Sequence, residues 1–232
     1  MTERRAGLRP LAVDAVLFDL DGTLADTAGD LAGALNRVRG DRGLPPLPVA
    51  ALRAHASAGA RGMLQAGMGI GPDATEFVAL RDAFLDHYAR CLAETTALFD
   101  GVAELLDALD QRGLRWGIVT NKASRFTAPV VAALGLAHRA GTIVSGDTTP
   151  HAKPHPAPMH HAAGELGLEP ARCAYVGDDL RDVLAGNAAG MPTLVARWGY
   201  LGSGEPHETW PATGGADAPL DLLDWLPLRA AR

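Results

Sequence analysis

Four consecutive apolar residues, Ala15-Val16-Leu17-Phe18, end abruptly at Asp19, and the same device returns at wide intervals along the chain. A run with no polar face fits a strand buried on both sides, the condition of a strand inside a parallel sheet. Comparable runs lie at Trp116 to Val119, Thr142 to Val144, Cys173 to Val176 and Thr193 to Ala196. Between them the spacing turns helical. Val102, Leu105, Leu106 and Leu109 form one apolar stripe, and Gly113 supplies its stop. This alternation predicts an α/β fold with a Rossmann-like parallel sheet covered by helices.

Residues 25–98 break the alternation and hold no convincing strand. Phe77, Leu80, Phe84, Tyr88 and Cys91 mark one face of a long amphipathic helix. Leu44-Pro45-Pro46-Leu47-Pro48 reads as a stiff connector. The expectation is an all-helical domain, residues 25–98, inserted into a core of residues 1–24 and 99–232. Residues 202–219 are rich in Gly and Pro and read as loop.

Composition sets the outer bounds. The 232 residues are 47% hydrophobic, enough for a sizeable core. A net charge of -6 with no long basic run argues against a nucleic-acid partner. Cys91 and Cys173 are too few for a disulfide scaffold and read as reduced core residues. The arginines at the start precede an apolar run, Leu11 to Leu20, as in a signal peptide. Asp14 and Asp19 interrupt that run, and no small-residue cleavage site follows. No stretch reaches the roughly 18 apolar residues of a membrane span. The expected setting is cytoplasmic, with no membrane partner; monomer and homodimer both stay open.

In an open α/β sheet, ligands bind at the carboxyl ends of the strands. Four apolar runs lead into polar residues there: Asp19-Leu20-Asp21-Gly22-Thr23, Thr120-Asn121-Lys122, a loop reaching Lys153-Pro154, and Gly177-Asp178-Asp179 with Asp182 one helical turn on. If the strands are neighbours, several carboxylates, a Lys and a Thr converge. Two carboxylates from different strands, Asp19 and Asp178, suit a hard cation such as Mg²⁺, which prefers oxygen ligands and accepts a phosphate oxygen among them. A Lys and a Thr can hold the other phosphoryl oxygens. An Asp can attack phosphorus to form an acyl phosphate. A second Asp two residues on can face the leaving oxygen, and Gly22 lets the backbone turn tightly.

The string Val16-Leu17-Phe18-Asp19-Leu20-Asp21-Gly22-Thr23 resembles the first motif of the haloacid dehalogenase superfamily. Gly117-Ile118-Val119-Thr120-Asn121-Lys122 resembles the second, His151-Ala152-Lys153-Pro154 the third, and Val176-Gly177-Asp178-Asp179-Leu180-Arg181-Asp182 the fourth. They occur in the family's order, and the helical insertion matches the family's cap domain. The Thr-Asn-Lys and Gly-Asp-Asp-x-Arg-Asp forms resemble the phosphoglycolate phosphatase subgroup. N-acetylmuramic acid 6-phosphate phosphatases share much of the pattern, including a stretch similar to Ala58-Gly59-Ala60-Arg61-Gly62.

The resemblance implies a Mg²⁺-dependent phosphatase acting on a small phosphate monoester through a phospho-aspartate, with 2-phosphoglycolate as first expectation and N-acetylmuramic acid 6-phosphate as alternative. Asp19 becomes nucleophile and metal ligand. Asp21 becomes general acid, then base, with its carbonyl on the metal. Asp178 becomes the third metal ligand. Thr120, Asn121 and Lys153 bind the phosphoryl group. Asp179 and Asp182 either reach the metal through water or cap the next helix. Lys122 either binds substrate or is solvated, and Arg61 is the cap's candidate for a substrate anion. Trp198 and Tyr200 line the entrance or pack in the core. The histidines at 151, 155, 160 and 161 lie in a Pro-rich stretch without a nearby Cys and are not read as a zinc site. Asp21 speaks against a dehalogenase. The absence of lysine from residues 25–98 speaks against a Schiff-base phosphonate hydrolase. A phosphomutase and a non-catalytic regulatory module are the remaining alternatives.

Overall fold

The structure, a computed structural model, describes residues 10–202 and 204–227; the basic start weighed as a leader lies almost wholly outside them. The strand β1, Ala15–Phe18, has all four residues buried. Next come the two-residue strand β2, Ala25–Asp26, and four helices: α1 Ala28–Asp41, α2 Val49–Leu52, α3 Gly59–Met68 and α4 Phe77–Arg90. A 3-10 segment, Arg53–Ala58, links α2 to α3. The strand β3, Ala97–Leu98, pairs antiparallel with β2. The core then resumes with α5 Val102–Gln111, β4 Arg115–Val119, α6 Ser124–Ala133, β5 Ile143–Val144, α7 Ala157–Glu165, β6 Cys173–Gly177, α8 Leu180–Ala188, β7 Thr193–Ala196 and β8 Gly214–Ala216.

The main sheet has six strands in the order β5-β4-β1-β6-β7-β8, each pair parallel. Side chains alternate across a strand, and the core divides accordingly. Val16 and Phe18 pack with Val102, Leu106, Trp116 and Ile118 on one face. Ala15 and Leu17 pack with Met159, Ala162, Tyr175 and Ala185 on the other. The strand order reverses at β1, with β4 and β5 to one side and β6, β7 and β8 to the other. Such a reversal opens a crevice at the carboxyl ends of the strands, where Asp19, Thr120 and Asp178 stand.

The helices α1 to α4 bury their own cluster, including Leu35, Val38, Met63, Leu64, Leu80, Phe84 and Tyr88. Burying a side chain such as Phe84 contributes about 1.5–3 kcal/mol. Phe126 and Tyr200 of the core belong to the same cluster, so the insertion is seated on the core. The buried Asp30 closes the insertion by accepting hydrogen bonds from the amides and hydroxyls of Thr95 and Thr96.

Two expectations need correction. Residues 25–98 do contain strands, the short β2 and β3, which run side by side where the chain leaves and re-enters the core. Residues 202–219 are not all loop: β8 extends the sheet beyond β7, and a 3-10 turn lies at His207–Thr209. Gly214 is required there because a Cβ would strike the Trp225 ring. Both cysteines are buried and free.

Candidate active site

Asp19 follows β1 directly, its amide donating to the Val176 carbonyl at 2.9 Å. Beside it lies Lys153, almost fully buried, with its ammonium 2.9 Å from Asp19 Oδ1. An ammonium has three protons. Those of Lys153 serve the Val119 carbonyl at 2.9 Å, the Tyr175 hydroxyl at 2.8 Å and Asp182 Oδ1 at 2.7 Å. Asp19 therefore receives the attraction of the charge without an aligned hydrogen bond, and its buried Oδ1 has no hydrogen-bond partner. Burial pushes the Asp19 carboxyl up to about 7; Lys153 holds it down, while Asp182 and Asp21 push it further up.

Asp178, fully buried at the end of β6, accepts from Thr23 Oγ1 at 2.9 Å on one oxygen. Its other oxygen accepts from the Tyr200 amide and from Ser57 Oγ, both at 3.0 Å. Burial raises this carboxyl well above the ordinary range, and the charges of Asp19 and Asp182 add to the effect. Gly22, at φ +86°, makes room: a Cβ there would collide with the Asp178 carboxylate and would be strained besides.

Among the described residues, Asp19, Asp178 and Asp182 offer one oxygen each within 4.8 Å of one another. Three buried carboxylates facing one committed lysine leave an excess of negative charge, and a hard divalent cation is the group such a set fits. The unpartnered Asp19 oxygen agrees with that fit. Asp182 is the least available donor, since one oxygen holds Lys153 and the other accepts the Asp179 amide. Asp179 takes the Arg181 amide and guanidinium, so Asp179 and Asp182 together form the N-terminal cap of α8.

The Asp21 carboxylate stands outside that trio. Its Oδ1 accepts from Thr27 Oγ1 at 2.6 Å and lies 3.2 Å from Lys122 Nζ. Lys122 is not solvated, with 6% of its side chain exposed, and it reaches the hydroxyl of Tyr88 in α4 at 2.7 Å. Burial disfavours its charge, but Asp21 and Tyr88 more than offset this, so its pKa rises. Thr120 is buried at the end of β4. Asn121 spends its side-chain amide on the backbone of Lys153, in both directions at 2.9 Å. It holds the Lys153 loop with its carbonyl oxygen and one N–H, and a side-chain amide has a second N–H to offer.

Asp19, Asp21, Thr120, Asn121, Lys122 and Lys153 line a cavity of about 460 Å³ between core and insertion. The exposed Arg61 of α3 lines it, and so do Ser57, Tyr88, Arg125 and Arg181, to which the sequence assigns no site role. Arg181 donates to the Ser57 carbonyl at 2.9 Å. No short motif could have announced Ser57 or Tyr88, because their roles depend on how the helices seat. Trp198 packs against the core with its indole on the Thr23 carbonyl. Tyr200 is buried and receives the Thr27 and Ala28 amides on its hydroxyl. Among the described residues no helix is long and apolar enough to cross a membrane.

A parallel sheet with carboxylates at its switch point, a committed lysine and a helical insertion above define a hydrolase of the haloacid dehalogenase type. The model of the haloacid dehalogenase-like hydrolases matches residues 13–190, and the chain belongs to that family. A phosphoglycolate phosphatase of Xanthomonas campestris pv. campestris is 43% identical over 92% of this chain and 95% of its own. An N-acetylmuramic acid 6-phosphate phosphatase of Pseudomonas aeruginosa is 40% identical over 94% of this chain and 97% of its own. A crystal structure described as a predicted phosphoglycolate phosphatase from Haemophilus somnus 129pt has a TM-score of 0.79 at 28% identity, covering 91% of this chain and 97% of that one. The phosphoric monoester hydrolase expected from the four motifs agrees with these relatives.

Proposed function

We propose that the chain hydrolyses a small phosphate monoester in two steps through a phosphorylated Asp19. The observation that carries this reading is the Asp19 carboxylate, buried beside Lys153 with an oxygen free of any hydrogen bond. An Asp19 oxygen attacks phosphorus, the ester P–O bond breaks, and the departing alkoxide takes a proton from Asp21. Asp21 then removes a proton from water as the water oxygen attacks phosphorus, and the P–O bond to Asp19 breaks to release phosphate. Lys153 offsets charge between Asp19 and the phosphoryl group. Asp19 and Asp178, with the carbonyl of Asp21, would hold Mg²⁺, whose chemistry there is to neutralise carboxylate and phosphoryl charge in the same small volume. Thr120 binds a phosphoryl oxygen. The inserted helices, residues 25–98, act as a cap that opens for substrate and closes for chemistry.

For the substrate, 2-phosphoglycolate is the first reading, with Arg61 binding its carboxylate. One observation favours N-acetylmuramic acid 6-phosphate as second reading: a cavity of about 460 Å³ falls in the size range that encloses far larger ligands than a two-carbon acid. A panel of phosphate monoesters containing both compounds separates the two. The preferred one should show the higher kcat/KM by tenfold or more, about 1.4 kcal/mol. No turnover of any monoester with Mg²⁺ present would refute the phosphatase reading.

A further inference from the structure

We propose that Tyr88 and Lys122 are positioning residues for Asp21, and that they set its carboxylate only when the helical insertion is seated on the core. This rests on the proposed role of Asp21 as acid and then base.

The geometry is a chain across the boundary. Tyr88 belongs to α4 of the insertion, and Lys122 follows β4 of the core. The Lys122 ammonium donates to the Tyr88 hydroxyl at 2.7 Å and stands 4.5 Å from the centre of its ring. The same nitrogen is 3.2 Å from Asp21 Oδ1. Thr27, at the start of α1, donates to that oxygen as well. Asp21 is thus anchored by Oδ1 alone, and Oδ2 has no hydrogen-bond partner among the described residues. Anchoring one oxygen orients the other, which is what proton transfer to a leaving oxygen requires.

The arrangement depends on the seated insertion. Tyr88 is 2% exposed and packs on Phe84 and on Phe126 of the core. If α4 lifts, the hydroxyl and the ring face leave together, and a flexible lysine stem loses what fixes it. Asp21 then loses a charged neighbour held in place from the insertion. The competing account is purely structural: Lys122 merely satisfies a buried phenol. That account predicts loss of stability without a catalytic signature, so the two separate experimentally.

The test is a double-mutant cycle. Tyr88→Phe keeps the ring and removes only the hydroxyl. kcat and KM are measured on an alkyl phosphate and on p-nitrophenyl phosphate, with and without Asp21→Asn, and folding is checked by thermal melts. Tyr88→Phe should lower kcat on the alkyl phosphate roughly tenfold, a share of the ~10²–10⁴ that general acid catalysis supplies. KM should move less than about twofold, and the loss on the aryl phosphate should be smaller. In the Asp21→Asn background the further loss should fall below about twofold, since residues acting as one unit are not additive. If Tyr88→Phe destabilises the protein, Lys122→Gln is read through the same cycle with the same expected pattern. A full tenfold loss persisting in Asp21→Asn, a change confined to KM, or no change in kcat overturns the proposal alone. If Asp21→Asn slows both substrates equally, the acid assignment itself fails and the proposal falls with it.

Discussion

The sheet and the inserted helices handle polar groups in opposite ways. In the core, Lys153 and Asp178 each have several fixed partners. Lys153 meets Val119, Tyr175, Asp182 and Asp19; Asp178 meets Thr23 and the Tyr200 amide from the core itself. The insertion reaches the same place through single contacts: Ser57 on Asp178, Tyr88 on Lys122, and a Ser57 carbonyl under Arg181. Removing one core partner leaves a buried charge unmet, which costs several kcal/mol. Releasing one insertion contact returns a hydroxyl or a guanidinium to water at little cost. On the proposed reading, the core holds the reacting groups through many contacts, while the insertion that would control access and selection is attached by few.

Substitutions should sort along that division. The largest effect belongs to Asp19→Asn, which keeps the shape and removes the proposed nucleophile. Steady-state turnover should fall below about 1% of wild type, since losing a covalent step costs many powers of ten. Residual activity above that level without deamidation would break the division at its strongest point. Metal removal comes next. EDTA should stop hydrolysis, Mg²⁺ should restore it, and Ca²⁺ should restore little because its coordination is larger and looser. Full turnover in chelated buffer would contradict the carboxylate assignment.

Asp21→Asn should cost roughly 10²–10⁴ on alkyl phosphates and far less on p-nitrophenyl phosphate, whose leaving group needs no proton. Stopped assays on both compounds give the ratio directly. The smallest effect is expected in the insertion. Arg61→Ala removes a charged contact worth about 1.5–3 kcal/mol, so kcat/KM on the preferred substrate should drop roughly 10- to 150-fold. An aryl phosphate lacking a second anion should lose much less. Equal losses on both compounds would remove specificity from Arg61 and blur the comparison.

The same division explains what could be read from the sequence. The strands ending in Asp19, Thr120 and Asp178 were legible because a doubly buried strand must be apolar throughout, and a polar residue after it marks its end. The strand β8 was hidden: Gly214-Gly215-Ala216 carries almost no side chain, and its pairing follows from the open edge of β7 and the Trp225 ring above it. The pair β2 and β3 was hidden by its brevity. Lys122 gave no sign of burial, because its partner Tyr88 lies far away in sequence and looked like one more residue of an apolar helical face. The tie between Asn121 and the Lys153 loop was hidden as well, because the two come from separate parts of the chain.

The most direct measurement of the central claim is rapid acid quench of the Mg²⁺-loaded enzyme during turnover, followed by peptide mass spectrometry. Acyl phosphates survive brief acid, so a phosphorylated peptide should appear within the first turnover, with the phosphate on Asp19 and none on Asp21. It should vanish when substrate is exhausted and be absent from Asp19→Asn. Turnover at the wild-type rate with no phosphate ever found on Asp19 would contradict the account.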